Sequence, residues 1–164
     1  MKRVLAACLA LSVALLMSCG PKRHEYTGPE VTRIVVNKSA RKMYLLHHAD
    51  VLKAYDIELG FAPTGAKQFE GDGRTPEGRY LIDRRNPRSK FYLSLGISYP
   101  NQNDIDFAKS QGRKPGGDIF IHGDRRKQDP NGPDWTAGCI SVDNKEMIEI
   151  YTMVRVGTII DINP

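Results

Sequence analysis

The sequence predicts a mostly β domain with one or two packed helices, preceded by an export segment that does not belong to the fold. Three observations carry this. Short stretches rich in branched and aromatic residues recur along the chain, separated by polar turn-forming connections. Two further stretches carry helix start signals, and one of them repeats its apolar residues at helical spacing. The first 18 residues are instead a basic start and an apolar run of signal-peptide length.

Met1-Lys2-Arg3 opens the chain, and Val4 to Met17 is apolar apart from Cys8 and Ser12. That run is short of the roughly 20 apolar residues that a membrane-spanning helix needs. A buried N-terminal helix is the alternative, and the charged start speaks against it. Leu16-Met17-Ser18-Cys19-Gly20 resembles the bacterial lipobox, with an aliphatic residue, a small one and then the cysteine. The resemblance implies diacylation of Cys19, cleavage before it and acylation of the new amine. Leu5-Ala6-Ala7-Cys8 has almost no apolar stretch before it and is set aside. Several acyl chains hold a protein on a membrane where one does not. The expected organisation is a signal peptide at 1–18, a lipidated tether at 19–30 and a catalytic domain at 31–164. With a Gram-negative host, the lack of Asp after Cys19 places the protein on the periplasmic face of the outer membrane.

From residue 31 the pattern is β. Strands are expected over 31–37, 42–47, 51–59, 79–83, 91–95, 118–122 and 158–162. His47-His48 closes the second of these and reads as turn surface, and His24 belongs to the tether. Asn103 is expected to cap a short helix through Gln111, which Gly112 stops. Asp143 caps a second, with Glu146 three residues on and Met147, Ile150, Tyr151 and Val154 at helical spacing before Gly157.

The formal charge of the 164-residue chain is +5, and losing Lys2 and Arg3 with the signal peptide lowers it by two. That excess suits an anionic wall polymer or a lipid surface, and no nucleic-acid partner is expected. No Cys/His set has zinc-site spacing, so neither a metal nor another cofactor is expected. With Cys8 removed and Cys19 acylated, Cys139 is the one remaining thiol and a candidate reactive group.

The chemistry concentrates in Ile119-Phe-Ile-His-Gly-Asp124 and Asp134-Trp-Thr-Ala-Gly-Cys-Ile-Ser141. His122 ends an apolar strand, a rigid place for an imidazole, and Cys139 follows beyond a Pro/Gly-rich loop. A neighbouring imidazole turns a weak thiol into a nucleophile for acyl carbons. Such a thiol is expected to label faster than free cysteine near neutral pH. Gly138 lets a substrate carbonyl approach backbone N–H groups that stabilise an oxyanion. An inert buried cysteine beside an unrelated histidine is the alternative reading of the spacing.

At these residues the chain resembles the L,D-transpeptidase catalytic domain, or YkuD, family. The resemblance rests on His122-Gly123, then Thr136-Ala137-Gly138-Cys139-Ile140-Ser141, with Gly71-Asp-Gly-Arg-Thr-Pro-Glu-Gly-Arg-Tyr80 upstream, and spans roughly 31–163. It implies a β-sandwich-like fold and a cysteine enzyme acting on peptidoglycan stem peptides through an acyl-enzyme. His122 would take the thiol proton, backbone N–H groups around Ala137 to Cys139, that of Gly138 among them, would face the oxyanion, and the Gly123 carbonyl would orient the imidazole. Arg125, Arg126 and Lys127, with Arg84 and Arg85, are candidates to meet substrate carboxylates, and Trp135 is a candidate cleft wall. Ala137 stands where the family usually has His, and Ser141 where it usually has an Arg expected to hold substrate. Losing that grip tilts the expectation towards hydrolysis, with transfer to an amine kept open. The Asp134–Ile140 run, with 98–101 and 115–117, is similar to a branch that includes a hydrolase releasing murein lipoprotein from peptidoglycan. Attached lipoprotein is therefore a candidate partner. The reading outside enzymology is an inactive, lipid-anchored peptidoglycan-binding module.

Overall fold

The computed structural model describes residues 26–124 and 132–164. The signal segment, Cys19 with most of its tether, and Arg125, Arg126 and Lys127 lie outside the described residues.

Branched residues alternating with polar ones produce the strands. In β1 (Arg33–Asn37) Ile34 and Val36 are buried while Arg33 is exposed, the period-2 pattern of a half-buried strand. β2 (Lys42–His47) and β3 (Asp50–Asp56) follow as an antiparallel meander. Then come β4 (Gly78–Ser89), β5 (Tyr92–Ile97), helix α1 (Gln102–Ser110), β6 (Phe120–His122), β7 (Ile140–Ser141), helix α2 (Asn144–Met153) and β8 (Ile159–Asn163). They form an eight-stranded sheet in the order β3-β2-β1-β8-β4-β5-β6-β7. The β1–β8 and β6–β7 pairs are parallel and the rest antiparallel.

β4 belongs to both halves of this sheet. Gly78 to Leu81 pair with β8, and the residues from Ile82 onward pair with β5, with a register shift between Ile82 and Arg84. Beyond β3 the chain reaches the opposite edge, where Glu58 bridges Ser141 and Gly60 bridges Thr136. The two halves thus meet over one core, in which Ile34, Met43, Leu45 and Ile160 share a cluster with Leu95, Ile97, Ile121 and Ile140. Met147, Ile150 and Met153 of α2 complete it. This is the mostly β fold with two helices that the sequence predicts.

Several boundaries differ. The cap of α1 is Asn101, not Asn103: Asn101 Oδ1 accepts from the Asp104 N–H at 3.2 Å, and Asp104 Oδ2 accepts from the Asn101 N–H at 2.9 Å. Asp143 does cap α2, and Glu146 Oε2 accepts its N–H at 3.0 Å. That helix ends at Met153 rather than running on to Gly157, which sits at φ 93° in the turn before β8. β4 continues well past Asp83, because its polar Arg-Arg-Asn-Pro-Arg run projects as a hairpin arm and needs no buried alternation.

Candidate active site

β6 and β7 bring the two sequence motifs together. His122 ends β6 and pairs in register with Ser141, and the His122 carbonyl accepts the Val142 N–H at 2.9 Å. Cys139 immediately precedes β7, so the parallel pair places it beside the histidine strand. His122 and Cys139 line one cavity of about 240 Å³, together with Asn86, Ser89, Lys90, Phe91, Ser94, Asp118 and Phe120.

The imidazole is buried and tightly held. Its Nδ1 lies 2.6 Å from the Gly123 carbonyl. A carbonyl only accepts, so Nδ1 carries the proton and Nε2 keeps its lone pair. Phe91 stacks on the ring at 4.7 Å between centroids, and Trp135 meets it edge-on at 5.8 Å. Gly123 itself has no room for a side chain: a Cβ there would lie 2.4 Å from Asn144 Oδ1. That oxygen, on the first residue of α2, accepts the Asp124 N–H at 2.7 Å.

A buttress of backbone fixes Cys139 from behind. Gly138 adopts φ 131°, and a Cβ on it would sit 2.6 Å from the Arg74 carbonyl. Gly60 is equally crowded, since a Cβ there would be 2.0 Å from the Gly73 carbonyl and 2.9 Å from Gly138 Cα. The Gly71–Tyr80 motif therefore packs against the nucleophile loop, and its buried Thr75 Oγ1 accepts the Gly60 N–H at 3.3 Å. Thr136 shapes the loop from within. Its hydroxyl donates to the Cys139 carbonyl at 2.7 Å and accepts the Gly138 N–H at 3.1 Å. Asp134 anchors the loop start, accepting from the Arg41 guanidinium and from the Leu59 N–H at 2.9 Å.

The electrostatics bear on one expectation. Burial pushes the Cys139 thiol above its ordinary value and Asp118 adds to this, while a Phe120 backbone hydrogen bond and Lys67 pull it back. Burial pushes His122 below its ordinary value, against smaller upward pulls from Gly123 and Asp124. Both shifts favour the neutral forms of the two side chains, which bears against the fast labelling expected from the motif alone. The thiol is half-buried and donates to the Asp118 carbonyl at 3.6 Å.

Ser141, expected to offer no grip on a substrate carboxylate, is fully buried in β7 and does not line the cavity. Other expectations change. The Gly138 N–H is engaged by Thr136 rather than turned to an oxyanion. Arg84 bonds Asp83 and Asp118, and Arg85 bonds the Tyr151 and Val154 carbonyls, so both serve the protein's own structure. Ala137 is exposed and Trp135 half-buried. His48 sits in the turn after β2 at φ 53°, away from the site. Lys90, Phe91 and Asp118 were missed as site residues because they lie outside both motifs. Phe91 and Asp118 each head an expected strand, which was the signal on offer. Among the described residues no group of three His, Cys, Asp or Glu side chains could hold a metal ion.

Residues 31–162 match the model of the L,D-transpeptidase catalytic domain, YkuD. YafK of Escherichia coli K12, named as a candidate L,D-transpeptidase, is 30% identical over 106 residues, which are 63% of this chain and 37% of YafK. The helical cell shape determining protein Pgp2 from Campylobacter jejuni superposes with a TM-score of 0.61 at 25% identity, over 87% of this chain and 51% of Pgp2. Bd1075 of Bdellovibrio bacteriovorus shares the fold at a TM-score of 0.56 and 23% identity, over 84% of this chain and 49% of that one. The chain thus spans little more than a third of YafK and about half of Pgp2. Through residues 31–162, then, this chain belongs to the L,D-transpeptidase catalytic domain family.

Proposed function

We propose that this protein breaks and remakes amide bonds of peptidoglycan stem peptides through a Cys139 acyl-enzyme. The observation that carries the reading is the His122 imidazole, buried with its Nδ1 proton given to the Gly123 carbonyl, in a cavity it shares with Cys139. Nε2 takes the thiol proton as Sγ attacks the amide carbon. The Gly138 N–H is held by Thr136, so this reading assigns the oxyanion to the Ala137 and Cys139 N–H groups. The imidazolium then protonates the leaving nitrogen, the C–N bond breaks and a thioester remains. Water or an amine attacks that thioester, Nε2 takes its proton, and the thiol is released reprotonated.

Family membership supports peptidoglycan as substrate, and the cell-shape role in the name of Pgp2 accords with it. The bond joining murein lipoprotein to the wall belongs among the candidate substrates through the Asp134–Ile140 run. An inactive wall-binding module is the poorer reading, because such a module needs neither an oriented imidazole nor a thiol in the same cavity. The direct test digests purified peptidoglycan, with and without attached lipoprotein, and weighs the products. Cys139→Ser is expected to cut product formation roughly a thousandfold or more with thermal unfolding little changed. Equal activity in the serine variant removes Cys139 as nucleophile.

Membrane attachment through Cys19 at the periplasmic face of an outer membrane is part of the same proposal and rests on the lipobox-like residues 16–20. Cys19→Ala, still exported, is expected to move the protein from the membrane to the soluble fraction. An unmodified Cys19 thiol in the intact mass of the wild type defeats this.

A further inference from the structure

The acyl-enzyme reading leaves open what enters or leaves on the amine side, and the cavity wall carries two charges that the mechanism does not use. Lys90, at the exposed tip of the β4–β5 hairpin, lines the cavity and forms no ion pair among the described residues. Asp118 lines it too, at the turn before β6, with its side chain 91% exposed. Arg84 donates to Asp118 Oδ1 at 3.1 Å, and Oδ2 has no protein partner among the described residues. The same guanidinium also bonds both oxygens of Asp83, so Asp118 shares its one cationic partner with a second carboxylate. The Asp118 backbone is fixed as well: it adopts φ 55°, and its carbonyl accepts the Cys139 thiol.

A cation and an anion flanking one nucleophile match a ligand that carries both charges close together. We propose that Lys90 and Asp118 form an amine-side subsite for an α-amino acid group, with Lys90 on its carboxylate and Asp118 on its ammonium. Leaving and entering amines pass through the same position beside His122, since each step of acyl transfer is the reverse of the other in geometry. One pair of charges therefore serves both the departing residue and the acceptor. The ammonium bound by Asp118 gives up a proton before its nitrogen attacks the thioester, and solvent takes that proton. This inference rests on the acyl-enzyme reading and deepens it by assigning two side chains, Lys90 and Asp118, to the amine side.

The test loads the full-length enzyme with a purified stem-peptide wall fragment and offers excess glycine or glycinamide as acceptors. Products are weighed as acid, glycine adduct and glycinamide adduct. The glycine-to-glycinamide ratio is compared between variants, which cancels the different basicities of the two amines. Lys90→Gln is expected to lower that ratio about fivefold, the scale of one exposed charge pair, and Lys90→Glu to lower it further. Asp118→Asn is expected to lower both amine adducts against the acid by a similar factor and to leave their ratio alone. Asn tolerates the left-handed backbone and keeps the oxygen that Arg84 uses, so this variant retains the turn. A ratio indifferent to both Lys90 variants, or an amine-to-acid partition indifferent to Asp118→Asn, overturns the subsite while the acyl-enzyme reading stands. Acid as the sole product overturns it too. If intact mass shows no adduct on wild-type Cys139 with any wall fragment, the acyl-enzyme reading falls and the subsite with it.

Discussion

Behind Cys139 the chain packs backbone against backbone, with Gly60, Gly73, Gly138 and the Arg74 carbonyl meeting where no side chain fits. In front of it the β4–β5 hairpin presents Asn86, Ser89, Lys90 and Phe91 as side chains on a polar, largely exposed arm. The back wall is also tied into the core. Buried Lys38 donates to the Gly65 and Thr75 carbonyls at 2.6 and 3.1 Å and pairs with Glu77 at 2.7 Å, holding the Gly71–Tyr80 segment in place. The front wall hangs on surface contacts, such as Arg85 capping the last carbonyls of α2. The contrast separates two jobs. Nucleophile geometry is set by backbone that tolerates no change, whereas selection among substrates sits on side chains that change without disturbing the fold.

The sharpest way to break this contrast is to put a methyl group on the back wall. Gly138→Ala forces a side chain into a φ of 131° and to within 2.6 Å of a backbone oxygen. A strain and clash of that kind costs about 3 kcal/mol or more, and the displaced loop carries Cys139 with it. Chemical denaturation is expected to show that loss, and peptidoglycan turnover is expected to vanish. Near-wild-type stability and turnover would show the buttress to be more compliant than its spacing implies.

A change of comparable chemical size on the front wall is expected to do the reverse. Phe91→Ala removes the ring stacked on His122 at 4.7 Å, yet Phe91 is already 37% exposed. Stability should fall by only about 1 kcal/mol. Turnover should fall about tenfold, because an imidazole free to tilt spends less time in the attacking geometry. A variant as unstable as Gly138→Ala would erase the distinction between the walls.

Much of this site was legible in the sequence, and the division follows the same walls. His122, Gly123, Gly138 and Cys139, the candidates that the two motifs offer, come together where β6 pairs with β7. The strands were legible through their alternation, as Ile34 and Val36 show. The front wall was not. Residues 84–89 read as loop because exposed strand carries no apolar period, and nothing local to Lys90 or Asp118 reports a cavity that only the folded hairpin encloses. Ser141 shows a related limit. Motif comparison says which residue type is missing, but only the pairing of β7 against β6 shows that this position faces the interior.

The gentlest probe compares the walls through the thiol itself. Burial of Cys139 is the largest influence on its protonation and pushes it upward, and the Asp118 carboxylate at the front adds to that. A group with a raised value becomes thiolate only at higher pH. Iodoacetamide labelling of Cys139 should therefore rise with a midpoint above that of free cysteine, about 8.5, and run several-fold slower than free cysteine near neutral pH. His122 moves the opposite way under burial, so it stays neutral until the pH falls further than an ordinary imidazole requires. The acid limb of turnover should accordingly lie below about 6.5, and Cys139 and His122 should act as a neutral pair between the two limbs. Asp118→Asn sharpens the comparison, because removing the front-wall charge should lower the labelling midpoint modestly while the larger contribution from burial remains. A wild-type labelling midpoint below that of free cysteine would mean that the imidazole already holds the thiol proton at rest. The back wall would then be secondary to the ion pair in setting the reactivity of Cys139.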